Sequence, residues 1–295
     1  MAADLDNIAL LGAIEAGGTK FVLATGTADG TIRSRHSIAT ISPEETLAAA
    51  RNWFATQPRV SALGIASFGP VELDRTSPKW GHITETPKPG WSNCNLAGYF
   101  AGELNVPVGF DTDVNGAVLG EYRFGAGRGM SAIAYITVGT GIGGGLIIVG
   151  KLAHGAGHPE MGHCYPRRGP RDRDFVGNCP FHGDCLEGLA SGPAILARWG
   201  KTLSDLPEDH EAHDLVAGYL AQACHTLFAC CAIERVVLGG GVMKTPGLLE
   251  RVRLATAKAG ANYLPGRDRQ MVVPPELGED AGIKGALLLA DGAIG

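Results

Sequence analysis

Twice along these 295 residues an apolar stretch runs into a glycine-rich turn and out into another apolar stretch. Residues 8–14 lead into E-A-G-G-T-K at 15–20 and then F-V-L-A-T; residues 131–138 lead into G-T-G-I-G-G-G at 139–145, with strand character resuming at 146–149. Each hairpin is followed by helical segments and further strands, so the pattern predicts a duplicated α/β fold. The length exceeds what one typical core organises and favours two lobes with a ligand cleft between them. The expected lobes are residues 1–115 and 116–295, with a terminal helix at 281–293 able to pack back on the first lobe.

The remaining elements follow from local signals. Residues 43–56 read as a helix with Ser42 as cap and Glu45 completing a capping box. Residues 60–67 form a buried strand ending in F-G-P, and residues 76–95, rich in Pro, Trp, Gly and Thr, form a long loop of the kind that often carries function. A helix at 96–104, a strand at 106–110 and an apolar helix at 116–122 follow. In the second half come a long helix at 215–233, a buried strand at 236–238 closed by Gly239, Gly240 and Gly241, a helix at 245–259 and an edge strand at 271–274.

Both hairpins suit a phosphate. Without side chains at Gly17, Gly18, Gly139, Gly141 and Gly143, backbone N–H groups can converge on an anion, while Thr19 and Thr140 add hydroxyls. Neither hairpin has the G-K-[ST] ending of a Walker loop, and glycine in a hairpin also serves the turn itself. Asp111 and Asp113 follow a strand end, where open sheets place ligands. A carboxylate there can take a proton from an attacking hydroxyl, and Asp113 is the expected general base; Asp111 is expected to cap the following helix or support the site from behind.

Between His163 and Cys185, Cys179, His182 and Cys185 fall three residues apart, the spacing of a tetrahedral zinc site, with His163 as fourth ligand and the neighbouring Cys164 as its rival. Four protein ligands close the site and make it structural. The segment with Arg167, Arg168, Arg171, Asp172, Arg173 and Asp174 offers little to a core, so the ion is expected to supply its order. Glu160 and Glu187 flank the cluster, placed to reach substrate hydroxyls from a rigid loop. Cys224, Cys230 and Cys231, in an apolar helical stretch, read as core residues. His82, His154 and His158 read as loop histidines or sugar contacts.

A net charge of −5, with no compensating basic stretch, disfavours a nucleic-acid partner. No apolar run is long enough to cross a bilayer, and the acidic start lacks a signal sequence, so no membrane association and a cytoplasmic location are expected.

Taken together, E-A-G-G-T-K, D-T-D-V-N-G-A-V-L-G-E, I-T-V-G-T-G-I-G-G-G, H-P-E-M-G-H, C-P-F-H-G-D-C-L-E-G and L-G-G-G-V resemble the ROK family of sugar kinases across nearly the whole chain. Within it, I-A-S-F-G-P at 65–70 and T-P-K-P-G-W at 86–91 resemble the bacterial zinc-containing fructokinases. The resemblance implies an actin-like ATPase (ribonuclease H-like) fold with ATP and magnesium in the cleft, and a homodimer. It implies that Gly17, Gly18, Thr19 and Lys20 form the first phosphate loop. The second would comprise residues 139–144, among them Thr140, Gly141, Gly143 and Gly144, with Gly239, Gly240 and Gly241 at the adenosine. Asp113 falls on the base, Gly69, Pro70, Glu160, His163 and Glu187 on sugar-binding positions, and His163 doubles as a zinc ligand. Glu15 and Thr112 stand where the family's glucokinases carry Asp and Asn, and a His replaces one Cys of the usual zinc pattern; all three agree with the fructokinase branch. The expected activity is phosphorylation of D-fructose at its 6-hydroxyl. The alternatives are a broader hexose kinase acting on mannose or glucose, or a non-catalytic sugar sensor; the latter's family members carry a DNA-binding segment for which there is no room before the first strand.

Overall fold

The computed structural model describes residues 9–169 and 172–294. The chain forms two compact units: residues Met1–Gly125, His154–His158 and Glu279–Gly295 make the first, Ala126–Ala153 and Pro159–Gly278 the second. The expected division after residue 115 is corrected by this partition. It would cut α3 (Asp113–Phe124), whose first turn continues directly from a strand of unit 1 and whose body packs there.

Unit 1 is built on β1 (Leu11–Ala16), β2 (Lys20–Gly26), β3 (Ile32–Ala39), β4 (Ala62–Ser67) and β5 (Val108–Thr112). They lie in the order β3-β2-β1-β4-β5, with β2 antiparallel to its neighbours and β4 and β5 parallel to β1. Unit 2 has β6 (Ile133–Val138), β7 (Ile142–Ile148), β8 (Lys151–Leu152), β9 (Arg235–Gly239) and β10 (Met271–Val273). Read from the other edge their order is β8-β7-β6-β9-β10, with the same directions, so the duplication inferred from the two hairpins extends through both sheets. The start expected at Ile8 lies outside the described residues.

Alternation along the unit 1 strands decides what covers each face. Ile14, Phe21, Leu23, Leu63, Ile65 and Phe110 pack against α1 (Pro43–Ala55) and α2 (Leu96–Leu104). Ser42 caps α1, its hydroxyl taking the Glu45 N–H at 3.3 Å and donating to Oε2 of the same residue at 3.1 Å. The loop at 76–95 joins this core through fully buried Ile83 and Trp91, the indole donating to the Ile41 carbonyl at 2.9 Å. The opposite face carries Ala13, Ala24, Ala62, Gly64, Ala66 and Gly109, and small residues there let a helix come close.

That helix is α8 (Ala281–Asp291). A Cβ on Gly64 would overlap the Ala286 carbonyl, one on Gly109 the Leu289 carbonyl, and one on Gly285 the Gly116 carbonyl of α3. In unit 2, α4 (Leu186–Ala190), α5 (Gly192–Trp199), α6 (Glu211–Cys231) and α7 (Leu248–Gly260) surround a core of Ile136, Val138, Val236 and Leu238. Cys224 lies in this core, where burial pushes its thiol up to about 12. Cys230 is exposed and Cys231 half-buried, which corrects their expected place inside.

Gly285→Ala should therefore cost about 1–3 kcal/mol or more through overpacking, a fall in Tm of roughly 2–10 °C by the usual size scaling. Gly102→Ala, on the exposed side of α2 where a Cβ meets nothing within 4 Å among the described residues, should raise Tm slightly because alanine loses less backbone entropy. Thermal unfolding of the two variants checks both signs.

Candidate active site and metal centre

The first hairpin closes with the Gly17 N–H on the Lys20 carbonyl at 3.0 Å, and Thr40 ties it from the side through its hydroxyl on the Gly17 carbonyl at 2.8 Å. A Cβ at Gly17 would sit 2.9 Å from the Lys20 oxygen, so glycine is needed there by packing. At Gly18 a Cβ would meet nothing within 4 Å among the described residues. Its bareness is not required by its protein neighbours and leaves the backbone open to an anion. Thr19 and Lys20 are exposed, with the ammonium 4.0 Å from Glu279.

Glu15 stands at the mouth of this hairpin, its carboxyl against Gly282 at the start of α8. Burial first, and the Asp113 carboxylate second, push Glu15 up to about 7, against the pull of Arg35 and Lys20. Asp113 opens α3, its Oδ1 accepting the N–H of Val114 at 2.8 Å. The helix cap is Thr112, whose hydroxyl oxygen takes the Asn115 N–H at 3.1 Å. The cap expected of Asp111 is thus corrected: Asp111 is the penultimate residue of β5, 3% exposed, and its carboxylate meets Asn115 and His154 instead. Glu15 and Asp113, three sequence motifs apart, are brought together by β1 and β5 flanking β4. At the end of β4, Gly69 lies beside the His158 ring, whose Nε2 accepts the Val71 N–H at 3.3 Å. Pro70 accepts two bonds from Thr84 through its carbonyl.

In unit 2 the second hairpin turns over the Gly139 N–H and the Gly141 carbonyl at 2.9 Å, with Thr140 exposed at the tip. Glu187 holds it: Oε2 accepts the Ile142 N–H at 2.9 Å, and a Cβ on Gly141 would stand 2.7 Å from the same oxygen. Gly143 and Gly144 lie within β7, where Gly144 faces the Met161 sulfur and Gly162 presses on the Ile142 carbonyl. The segment Met161–His163 is thereby seated against the hairpin, with Glu160 just before it. At the end of β9, Gly239 and Gly240 are needed for packing against Tyr135 and Val138, Gly240 also having φ of 95°, while among the described residues a Cβ on Gly241 would meet nothing within 4 Å.

His163, Cys179, His182 and Cys185 bring their ligand atoms within 4.8 Å of one another, and Cys164 stands exposed outside the group. His163 Nδ1 lies 3.2 Å from His182 Nδ1, 3.7 Å from Cys179 Sγ and 3.5 Å from Cys185 Sγ; Cys179 Sγ lies 3.8 Å from His182 Nδ1. The edges of a zinc tetrahedron are about 3.3 Å between nitrogens and about 3.6 Å between nitrogen and sulfur, so the four donors fit that ion. Burial pushes the Cys185 thiol up to about 11, and a cation is what would hold it as thiolate.

In the polar stretch between His163 and Cys179, which the sequence leaves to an ion to order, Arg168 and Asp172 have protein partners of their own. Asp172 is 1% exposed and pairs with Arg198 and with Arg168, whose Nε is 3.5 Å away. Arg168 reaches Asp184 at 3.1 Å and the Phe175 carbonyl at 2.6 Å, and Arg198 lies over the rings of Phe175 and Trp199. The Arg168–Asp172 spacing of four was the only signal for this cluster in the sequence. Arg171 lies outside the described residues. His82 forms an isolated antiparallel bridge with Asn95, its Nδ1 3.4 Å from the Trp80 carbonyl.

Duplicated sheets, each opening on a glycine hairpin, define an actin-like ATPase fold. The chain matches the family model described as ROK family over residues 11–293 and belongs to that family. It is 48% identical to a fructokinase of Zymomonas mobilis, over 95% of this chain and 96% of that one. It is 44% identical to a fructokinase of Pediococcus pentosaceus, over 97% and 99%. A ROK family glucokinase from Streptomyces griseus, solved with glucose and AMPPNP, superposes with a TM-score of 0.75 at 26% identity, over 96% of this chain and 99% of that one.

Two measurements follow. A chelator should lower the Tm of the wild-type protein and leave that of Cys185→Ser unchanged, because metal binding adds to folding only where the ligand set is complete. Glu15, raised in the folded state, binds a proton more tightly there than in the unfolded chain, so its contribution to stability falls as pH rises from about 4.5 through about 7. Glu15→Gln should then melt above wild type at pH 8, with the difference vanishing toward pH 5.

Proposed function

We propose that this chain is an ATP-dependent fructokinase in which Asp113 is the general base. Phosphoryl transfer asks a protein for positioning and charge stabilisation more than for covalent chemistry. Asp113 takes the proton of the fructose 6-hydroxyl as that oxygen bonds to the terminal phosphorus of ATP and the bond to the bridging oxygen breaks, releasing ADP and fructose 6-phosphate. The supporting observation is the convergence of Asp113, Glu15 and the open Gly18 backbone at one end of the unit 1 sheet.

Gly17, Gly18, Thr19 and Lys20 serve as one phosphate loop, and Thr140, Gly141, Gly143 and Gly144 as another. Gly239, Gly240 and Gly241 serve the adenosine. Magnesium, when bound to the nucleotide, would neutralise charge on the phosphates. Gly69, Pro70, Glu160, His163 and Glu187 hold the sugar; Glu187 does so while anchoring the second hairpin through Ile142, which links sugar and phosphate binding in one side chain. His163, Cys179, His182 and Cys185 would hold zinc, which supplies rigidity to the loop bearing Glu160 and Glu187. A homodimer and a cytoplasmic location belong to the same reading; among the described residues no helix is long and apolar enough to cross a membrane.

Asp113→Asn should lower kcat at least about a thousandfold while fructose still binds, since a general base contributes about 10²–10⁴ and loss of the charge adds to it. ADP release with magnesium-ATP across fructose, mannose, glucose and N-acetylmannosamine should favour fructose. Retained turnover in Asp113→Asn would overturn the base, and preference for another hexose the substrate.

A further inference from the structure

Residues His154–His158, H-G-A-G-H, interrupt the run of unit 2 and belong with unit 1. Both histidines of this strap are engaged. His158 accepts the Val71 N–H beside Gly69, and His154 Nε2 lies 3.0 Å from Asp111 Oδ2. Asp111 is buried and its other oxygen accepts twice: from the Thr112 N–H at 2.8 Å and from Asn115 Nδ2 at 2.6 Å. Thr112 in turn caps the Asn115 N–H. These bonds enclose the first turn of α3, and the residue between Thr112 and Val114 is Asp113.

The contacts also settle which atom of His154 carries hydrogen. Asn115 Nδ2 donates to Asp111 and lies 3.2 Å from His154 Nε2, and the opposite amide orientation would set its oxygen against a carboxylate oxygen; Asp111 Oδ2, a carboxylate oxygen 3.0 Å from Nε2, can only accept. Nε2 therefore bears the hydrogen and donates to Asp111. That bond raises the His154 pKa, against the lesser effect of burial.

We propose that His154 is a positioning residue for phosphoryl transfer: its Nε2–H on Asp111 locks the carboxylate that holds the first turn of α3, and so fixes where Asp113 points. The proposal rests on the reading of Asp113 as base. The strap gives it a second consequence, because the chain passes from His158 straight to Pro159 and Glu160. One five-residue segment thus ties the backbone beside Gly69, the turn bearing Asp113 and the entry to the sugar-binding loop.

The side chain of His154 is 38% exposed, so its replacement should leave folding intact. His154→Ala should lower kcat about 10- to 100-fold, the scale of a misplaced catalytic group, with KM for fructose and ATP within about twofold and Tm within about 2 °C. Gln places its amide nitrogen where Nε2 stands, whereas Asn mimics Nδ1 and falls short. His154→Gln should therefore recover kcat to within about threefold of wild type, and His154→Asn should behave as Ala. In an Asp111→Asn background, His154→Ala should add nothing further. Wild-type kcat in His154→Ala, a loss appearing in KM, or equal kcat for the Gln and Asn variants would each overturn the proposal. If Asp113→Asn abolishes turnover while His154→Ala does not change it, only the positioning role fails; if Asp113→Asn stays active, the base assignment fails first.

Discussion

The close seat of the C-terminal helix is the contact on which the rest of unit 1 depends. Backbone meets backbone where Gly285 faces Gly116, Ala286 faces Gly64 and Leu289 faces Gly109. Such an approach needs a glycine on at least one side of each contact, and it seats α8 against α3, β4 and β5. Because Asp113 is the first residue of α3, and because the Glu15 carboxyl rests against Gly282, the same seat sets the spacing of the two acids at the end of the sheet. An element from the last residues of the chain thus shapes a site made by the first half.

Unit 2 solves the matching problem by different means. Its hairpin is held by a carboxylate, Glu187, two residues beyond Cys185 of the Cys/His cluster, and by the packing of Met161 and Gly162 two residues and one residue before His163 of the same cluster. The cluster and the hairpin are therefore mechanically one piece. Much of the stiffness of the intervening segment comes from Asp172 buried between Arg168 and Arg198. A pairing of this kind keeps ionised groups inside the protein only because each is matched. An ionic knot thus lies in the middle of a stretch whose flanks carry the His163, Cys179, His182 and Cys185 cluster.

The buried polar groups near Asp113 show the same economy. Asp111 satisfies a backbone N–H, an amide and an imidazole with two oxygens, and every partner bears on the turn that presents Asp113. Unsatisfied donors in so buried a place would be costly, which gives the network one stable arrangement.

Local chemistry made much of this legible from the residues in order. Two strand–glycine–strand hairpins announced the duplication that the mirrored sheet orders display, Ser42 and Glu45 marked the start of α1, and the three-residue spacing of Cys179, His182 and Cys185 gathered with His163 into one tetrahedral group. Alternation of large and small residues in β4 also encoded which face would accept a close helix, though not which helix. What the tertiary structure alone decided are relations between distant segments: the seating of α8 on Gly64 and Gly109, a boundary after residue 125 instead of 115, the capture of Asp111 by His154, and the burial of Asp172 by Arg198. None of these has a period or a fixed spacing, because each arises from packing and charge pairing between parts of the chain that meet only once both sheets have formed.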